Sequence, residues 1–394
     1  MMDRPFSRFL IDGEWFEFTR PSTAKIIYKN KTHDVLRDQE SPSSLPDIES
    51  YLSDIHLNNE EQKIRVFHFF YEYGYHHILR DDLIKEEYPL LIILEYEKVD
   101  HFSKKRSSKD IQLKPSMQID FATYERAFRR GLEHLERGDC YQYNLTFPEL
   151  FSFEDQNIEN FFQSMLGHPE KWGAYAHMTN LPMQKIAFLS NSPESLFEIS
   201  NREDCLIIES RPIKGTYKIS DFKNEDVAFE ALVNSEKNQA ELFMIIDLLR
   251  NDLYKIAQTH VDVIDLKKRL DVPGIVHQMG VLQTQVPKHI NLLQIMQALF
   301  PGGSITGAPK KRVMEILSDI EKSPRGFYCG STVLFFKNIV RSSINIRSAT
   351  LDFANKTLSL GAGGGITHLS SCQHEFEERK AKLMSFLEFF SVRS

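Results

Sequence analysis

A fold that mixes β-strands with α-helices is predicted by three features of the sequence. "LLIILEYEKV" (90–99) is a strand-like run. The stretch from 119 to 147 reads as a helix, a stop and an alternating strand. Two further segments, 235–258 and 374–390, carry apolar residues at helical spacing.

The elements follow in order. Residues 1 to about 115 combine strand-like segments with polar connectors such as "SPSSLPD" (41–47) and carry no chemical constellation, so this part reads as scaffold. In "IDFATYERAFRRGLEHLERGDCYQYNLTF", Phe121, Tyr124, Phe128, Leu132 and Leu135 form a helical stripe, and Gly138 ends it. "SEKNQAELFMIIDLLRNDLYKIAQ" opens on Ser235 as a cap, with Leu242, Ile245, Ile246, Leu249 and Leu253 as the core stripe and Glu241 near its start. "HEFEERKAKLMSFLEFF" buries Phe376, Leu383, Leu387 and Phe390. Along its flank Glu375, Glu378 and Lys382 share one strip, being at i, i+3 and i+7.

Composition excludes several classes of protein. The 394 residues are 41% hydrophobic and 26% charged, an ordinary globular mixture. Net charge is −7, with 48 basic and 55 acidic residues interspersed, so no field attracts nucleic acid or an anionic membrane. The one basic run, "KKRSSKD" (104–110), is short and serine-rich and reads as a solvated loop. Cys140, Cys205, Cys329 and Cys372 lie far apart without a CxxC pattern, as reduced thiols do. The opening "MMDRPFSRFLIDGEWFEF" has no uninterrupted apolar stretch, so a cytoplasmic protein without signal or anchor is expected.

Three kinds of residue could carry chemistry. "PGGSITGAPKKR" (301–312), "RGFYCGS" (325–331) and "GAGGGITHLSS" (361–371) are glycine-rich. The first is not a Walker A loop, because Ala308 and Pro309 follow Gly307; the third is not a dinucleotide fingerprint, because Ile366 takes the last glycine place. Such loops either let a small anion approach backbone N–H groups or simply turn tightly. Glu241, Glu375 and Glu378 at helix starts suit a Mg²⁺ ion completed by substrate oxygens and water, and equally suit the helix dipole. Lys214, in "SRPIKGT" (210–216), sits where the strand-like "DCLIIESRPI" runs into a turn. Flanked by Pro212 and Gly215, its amine is either a desolvated nucleophile or a partner for a buried carboxylate.

Taken together, "CYQYNLTF", "SPESLFEI", "SRPIKGT", "KNQAELFMIIDLLRNDL", "LFPGGSITGAPKKR", "RGFYCG", "INIRSATL" and "GAGGG…HEFEERKAK" resemble the chorismate-utilising enzymes, and most closely the aminodeoxychorismate synthase component I group among them. The eight ordered blocks span about residues 119–385. The resemblance implies an α+β fold of two facing antiparallel β-sheets with helices packed outside and the active site in the cleft between them. Residues 116–394 would be the chorismate-binding region, with 1–115 completing one sheet of a single structural domain.

The same resemblance implies roles, position by position. Glu241 and Glu378 match ligands of a Mg²⁺ ion that binds the ring carboxylate of chorismate, with Glu375 close by. Glu194, in "SPE", matches the general acid that protonates the departing hydroxyl; burial beside Leu196 and Phe197 would raise its pKa. Lys214 matches a lysine that attacks the ring carbon beside the carboxylate-bearing one, where anthranilate synthases read "PIAGT". Tyr328, Arg347, Lys382 and the backbone of Gly363, Gly364 and Gly365 match contacts with the two carboxylates, and Thr216 and His277 match residues near the ring and leaving group. Gln142 takes the place of a water-activating lysine in isochorismate synthases, which favours ammonia as nucleophile. Asn238 replaces an acidic residue near the metal and implies weaker Mg²⁺ affinity.

The implied product is 4-amino-4-deoxychorismate, a precursor of p-aminobenzoate and folate. No GxCxG glutaminase pattern occurs in the chain, so ammonia would come from a glutamine amidotransferase subunit. Two other readings stand beside this one. Anthranilate synthesis is disfavoured by Lys214, and a non-catalytic chorismate-binding regulator is disfavoured by the presence of Glu194 and the metal carboxylates.

Overall fold

Strand pairing runs unbroken through a long antiparallel sheet that folds back on itself. The structure, a computed structural model, describes residues 4–102, 111–155, 157–272 and 275–392; the basic run at 104–110 lies outside them. One half of the sheet passes, in order of pairing, through Gln112–Met117, Gln142–Ser152, Thr357–Ile366, Ser348–Asp352, Ile186–Ser192, Tyr175–Leu181 and Phe6–Ile11. The other passes through Leu91–His101, Ile64–Phe69, Ser331–Phe336, Ile339–Ile344, Ser195–Asn201, Leu206–Ser210 and Ile275–Val286, and this last strand also pairs with Ile213–Lys218 and Val261–Val272. The 14-residue strand Glu14–Ile27 belongs to both halves, pairing with Phe6–Ile11 and with Leu91–His101. The two facing sheets are therefore joined at one edge. The amino-terminal third, expected to complete one sheet, supplies strands to both.

Period-two alternation explains how one strand serves two cores. Phe188 points into the layer between the halves, while Ala187 and Leu189 point to an outer helical layer. Ile92 and Leu94 likewise face inward, and Leu91 and Ile93 face outward. A strand buried on both faces reads as a continuous apolar run, which is why "LLIIL" stands out in the sequence. Phe9, Phe18, Val66, Phe188, Phe327 and Phe336 fill the inner layer. His68 crosses it, its ring nitrogens 2.8 Å from the Thr332 hydroxyl on its own half and 2.9 Å from that of Thr179 on the other.

The helices sit outside, where their apolar stripes direct them. Asp120 caps Phe121–Glu136, and Gly138 follows its end at φ +77°. Ser235 caps Glu236–Tyr254, whose Leu242, Ile245, Ile246 and Leu253 are buried. The last helix, Cys372–Leu387, starts two residues earlier than its sequence pattern suggested because Ser371 caps it, and it stops short of Phe390, which is buried all the same.

The first and third glycine-rich stretches contain regular structure, whereas 326–329 in the second is a turn. Residues 361–366 belong to strand Thr357–Ile366, paired with 143–148. Gly307, at φ +139°, pairs with Tyr143 so closely that an added Cβ would collide with the Gln142 carbonyl. Lys310 is buried and tied to Asp252 at 2.6 Å and to the Leu299 carbonyl at 3.1 Å. That stretch is a packing device that anchors helix Glu236–Tyr254 to the first half of the sheet.

Arg325 completes the anchor. Its guanidinium donates to the carbonyls of Ile305 and Asn144, both at 2.7 Å, and to both oxygens of Glu321 at 2.8 Å. Glu321 in turn accepts from the Thr146 N–H and hydroxyl. Removing the cation leaves a buried carboxylate without compensation. Arg325→Met is expected to lower unfolding free energy by about 3–5 kcal/mol, read as a fall in the denaturant midpoint, whereas Arg37→Ala, which breaks an exposed ion pair, should leave the midpoint almost unchanged.

Candidate active site

Three consecutive residues of one short strand organise the cleft. Strand Ile213–Lys218 pairs with Ile275–Val286, Lys214 opposite Gln278 and Thr216 opposite His277, and the register shifts between them. The extra residue is Gly215, at φ +82°, a conformation open to glycine. The Ile213 backbone acts on the Glu194 carboxyl on one side, and the Gly215 backbone acts on the His277 ring on the other. Lys214 lies between. The bulge lets neighbouring residues aim their groups into the cleft rather than alternate across the strand.

The charged groups that act on Lys214 are Glu241, Glu194, Lys382 and Glu378. Burial lowers the pKa of its amine below the ordinary lysine value; the three carboxylates oppose that and Lys382 reinforces it. The residue as a whole keeps partial contact with solvent. Four separate elements thus converge on one side chain: the 192–194 turn, the strand end, helix Glu236–Tyr254 and helix Cys372–Leu387.

Glu194 is 5% exposed. Burial pushes its carboxyl up to about 7, while Ser304, Lys214 and the Ile213 backbone pull the other way. The Ser304 hydroxyl acts electrostatically, since it falls outside hydrogen-bond geometry. Its turn is rigid: the Ser192 hydroxyl donates to the carbonyls of Ile344, at 2.6 Å, and Glu194, at 3.1 Å, and the Ile344 N–H donates to the Glu194 carbonyl.

On the facing helix, Glu375 is buried and accepts from the Ser370 hydroxyl at 2.8 Å. Ligand atoms of His374, Glu375 and Glu378 lie within 4.8 Å of one another. Lys382 bridges Glu378, at 2.7 Å, and the Gly363 carbonyl, at 3.1 Å. A Cβ at Gly364 would stand 3.3 Å from a Glu375 oxygen, and one at Gly365 would stand 2.7 Å from the Gln142 amide nitrogen. Bare backbone at 363–365 is what allows these side chains to close on the strand. Gln142 is fully buried, and neither end of its amide finds a hydrogen-bond partner among the described residues. Each such atom costs about 1–3 kcal/mol unless a ligand or water meets it.

Arg347 sits in the left-handed region at φ +49°. Burial lowers its pKa, and no hydrogen bond or ion pair to its guanidinium is found among the described residues. Its charge acts on His277, which burial first and Arg347 second hold down to about 4. A desolvated cation without a protein counter-ion is a receptor for a carboxylate. Asn238 lies beside the bulge, its side chain 3.3 Å from where a Gly215 Cβ would be, and its carbonyl accepts from Gln278 at 3.2 Å.

The Thr216 side chain lies outside the described residues. The Tyr328 ring packs on Gly361 in a cavity of about 40 Å³ lined also by Thr146, Arg325, Ser348 and Thr350. Burial raises its hydroxyl well above the usual tyrosine range, and of the groups acting on it, Cys329, Arg325 and Glu321, the last two belong to the anchor described above. Conversely, Ser304, Ser370 and His374 border the site without having been singled out from the sequence; Ser304 lies within the glycine-rich block, Ser370 just before the last helix and His374 in its first turn.

Comparison with known proteins bears on what this cleft accommodates. Residues 26–388 match the model of the chorismate binding enzyme family. Aminodeoxychorismate synthase component 1 of Escherichia coli is 35% identical over 268 residues, 67% of this chain and 57% of that protein. Anthranilate synthase component 1 of Aquifex aeolicus is 29% identical over 274 residues, 68% of this chain and 53% of the relative. The chain thus aligns with little more than half the length of the curated relatives it matches. Among solved structures, anthranilate synthase component I of Streptococcus pneumoniae superposes with a TM-score of 0.74 at 18% identity, covering 98% of this chain and 93% of that one. The menaquinone-specific isochorismate synthase MenF of Escherichia coli gives 0.73 at 15% identity, covering 99% and 90%.

A raised carboxyl pKa is also a statement about stability. Glu194 binds its proton more tightly folded than unfolded, so ionising it disfavours the folded state progressively as pH rises from 4.5 through about 7. The full effect is about 3 kcal/mol. Glu194→Gln is therefore expected to raise the denaturant midpoint at pH 8 and to leave it unchanged near pH 4; equal midpoints at pH 8 would show that the carboxyl is not desolvated.

Proposed function

The chain belongs to the chorismate-binding enzyme family, and we propose that it aminates chorismate to 4-amino-4-deoxychorismate, using ammonia supplied by a separate glutamine amidotransferase subunit. The observation that carries this reading is the convergence of a desolvated amine, Lys214, and a protonatable buried carboxyl, Glu194, in one cleft.

The chemistry follows from the two protonation states. Burial favours a neutral Lys214, whose lone pair adds to the ring carbon beside the carboxylate-bearing one. The ring double bonds shift and the C–O bond to the hydroxyl breaks. Glu194 gives its proton to the departing oxygen, so water leaves and the carboxylate remains. Ammonia then adds at the carbon that lost the hydroxyl, the double bonds shift back, and the lysine leaves as the C–N bond breaks. The net change is chorismate plus ammonia to aminodeoxychorismate plus water. Arg347 and Lys382 are suited to the two substrate carboxylates, and the unmet Gln142 amide to a polar ring substituent. Being neutral, Gln142 does not activate water.

The acidic side of the cleft fits a hard divalent cation. Glu241, Glu375 and Glu378 would hold Mg²⁺, which when bound withdraws electron density through the ring carboxylate. The Ser370 bond fixes one of these carboxylates in advance. Asn238, beside the bulge, contributes no charge, which favours a modest affinity.

Lys214 also separates this reading from anthranilate synthesis, which needs no covalent amine. Incubation with chorismate, Mg²⁺ and ammonium, followed by aminodeoxychorismate lyase, is expected to yield p-aminobenzoate. Anthranilate formed without the lyase would overturn the proposal, and inertness of the properly folded protein toward chorismate would favour a binding regulator. Lys214→Ala should lower turnover by roughly a thousandfold or more. At fixed free ammonia, kcat/KM should fall as pH rises through about 7, because Glu194 must hold its proton; a flat profile would remove it from the acid's role.

A further inference from the structure

A second cluster of ligating groups lies on the outer helical layer, away from the cleft. Glu49, in helix Leu45–Ser53, and His76 and His77, in helix Tyr73–Ile78, direct ligand atoms to within 4.8 Å of one another. The His76 Nε2 is 3.2 Å and the His77 Nδ1 is 3.7 Å from the same Glu49 oxygen. Four ligands at about 2.1 Å around a tetrahedral ion stand roughly 3.4 Å apart, so these separations fit a shared ion with little adjustment.

The surroundings are those of a prepared metal site. The other nitrogen of His76, Nδ1, lies 2.7 Å from a carboxylate oxygen of Asp81. Metal-binding histidines commonly make such a bond through the ring nitrogen not on the metal, and it fixes tautomer and orientation. The His77 ring packs edge-on against Tyr73 at 4.5 Å and its side chain is 4% exposed. The Gln297 amide donates to that same Glu49 oxygen at 3.3 Å, and at 29% exposure Glu49 leaves the cluster open to entry from solvent. Two imidazoles and one carboxylate form a borderline donor set that suits zinc above magnesium or calcium.

We propose that Glu49, His76 and His77 form a zinc-class binding site, with Asp81 orienting His76 and a water completing the coordination. The ion would tie helix Leu45–Ser53 to helix Tyr73–Ile78. The latter packs on the cleft's supporting segment: a Cβ at Gly74 would meet the Pro301 ring.

The test is zinc binding by the intact protein in excess Mg²⁺, measured by equilibrium dialysis with metal analysis. Wild type should bind one zinc that His76→Ala loses by at least a hundredfold in affinity, while His374→Ala, at the cleft, retains it. Asp81→Asn should weaken binding by about 10–100-fold. Co²⁺ in place of zinc should give the visible bands of a tetrahedral site in wild type and not in His76→Ala. Zinc should raise the thermal midpoint of wild type and of His374→Ala but not that of His76→Ala. Equal zinc affinity in wild type and His76→Ala, or no saturable binding in wild type, would overturn the proposal and leave an ordinary histidine–carboxylate cluster.

Discussion

The structure depends on keeping an amine and a carboxyl out of water while leaving them beside each other. Either group alone would be costly to bury as an ion. Together, Lys214 and Glu194 can exchange a formal charge for neutrality, and burial displaces each pKa in the direction the proposed reaction requires, the amine's down and the carboxyl's up. Had they met as a fully solvated ion pair, each would be locked in the unreactive state. Desolvation is thus the cleft's main contribution, and the nearby carboxylates of Glu241 and Glu378 limit how far the amine is displaced.

The scaffold serves that constraint by bringing distant segments to one bulge. A sheet folded about the strand Glu14–Ile27 buries apolar side chains on both faces, and the helices that cover its outer faces carry the acidic groups inward from their starts. Close backbone approach does the rest. The strand 357–366 comes so near Gln142, Glu375 and Lys382 because positions 363–365 have no side chains. The buried Arg325–Glu321 pair and the Lys310–Asp252 pair then fix the glycine-rich block that brings Ser304 to Glu194.

Much of this was legible in the sequence where the signal is local. Ser235 and Gly138 mark helix ends because capping and left-handed conformation are properties of single residues. Lys214 stood out as a charge where a strand-like run meets a turn, but the nucleophile's role was implied only by the family resemblance. Long-range features were less readable. Nothing in the alternation of residues 6–27 tells that one strand crosses between two half-sheets, because pairing partners are set by the whole topology. The run "GAGGG" looked like a loop since glycine disfavours strands, yet close packing of neighbours against the backbone overrides that preference. The resemblance implied that Tyr328 contacts a substrate carboxylate, and nothing in the sequence told that its ring packs on Gly361 beside the Arg325 anchor. Spacing in a motif gives proximity along the chain and not the direction of a side chain.

The most direct measurement is mass analysis of the protein incubated with chorismate and Mg²⁺ but without ammonia. If the amine of Lys214 is the nucleophile, intact protein gains the mass of chorismate less one water, and peptide mapping finds the addition on the peptide that contains Lys214. A protein that consumes chorismate when ammonia is added, yet never carries that mass or carries it on another residue, would contradict the account.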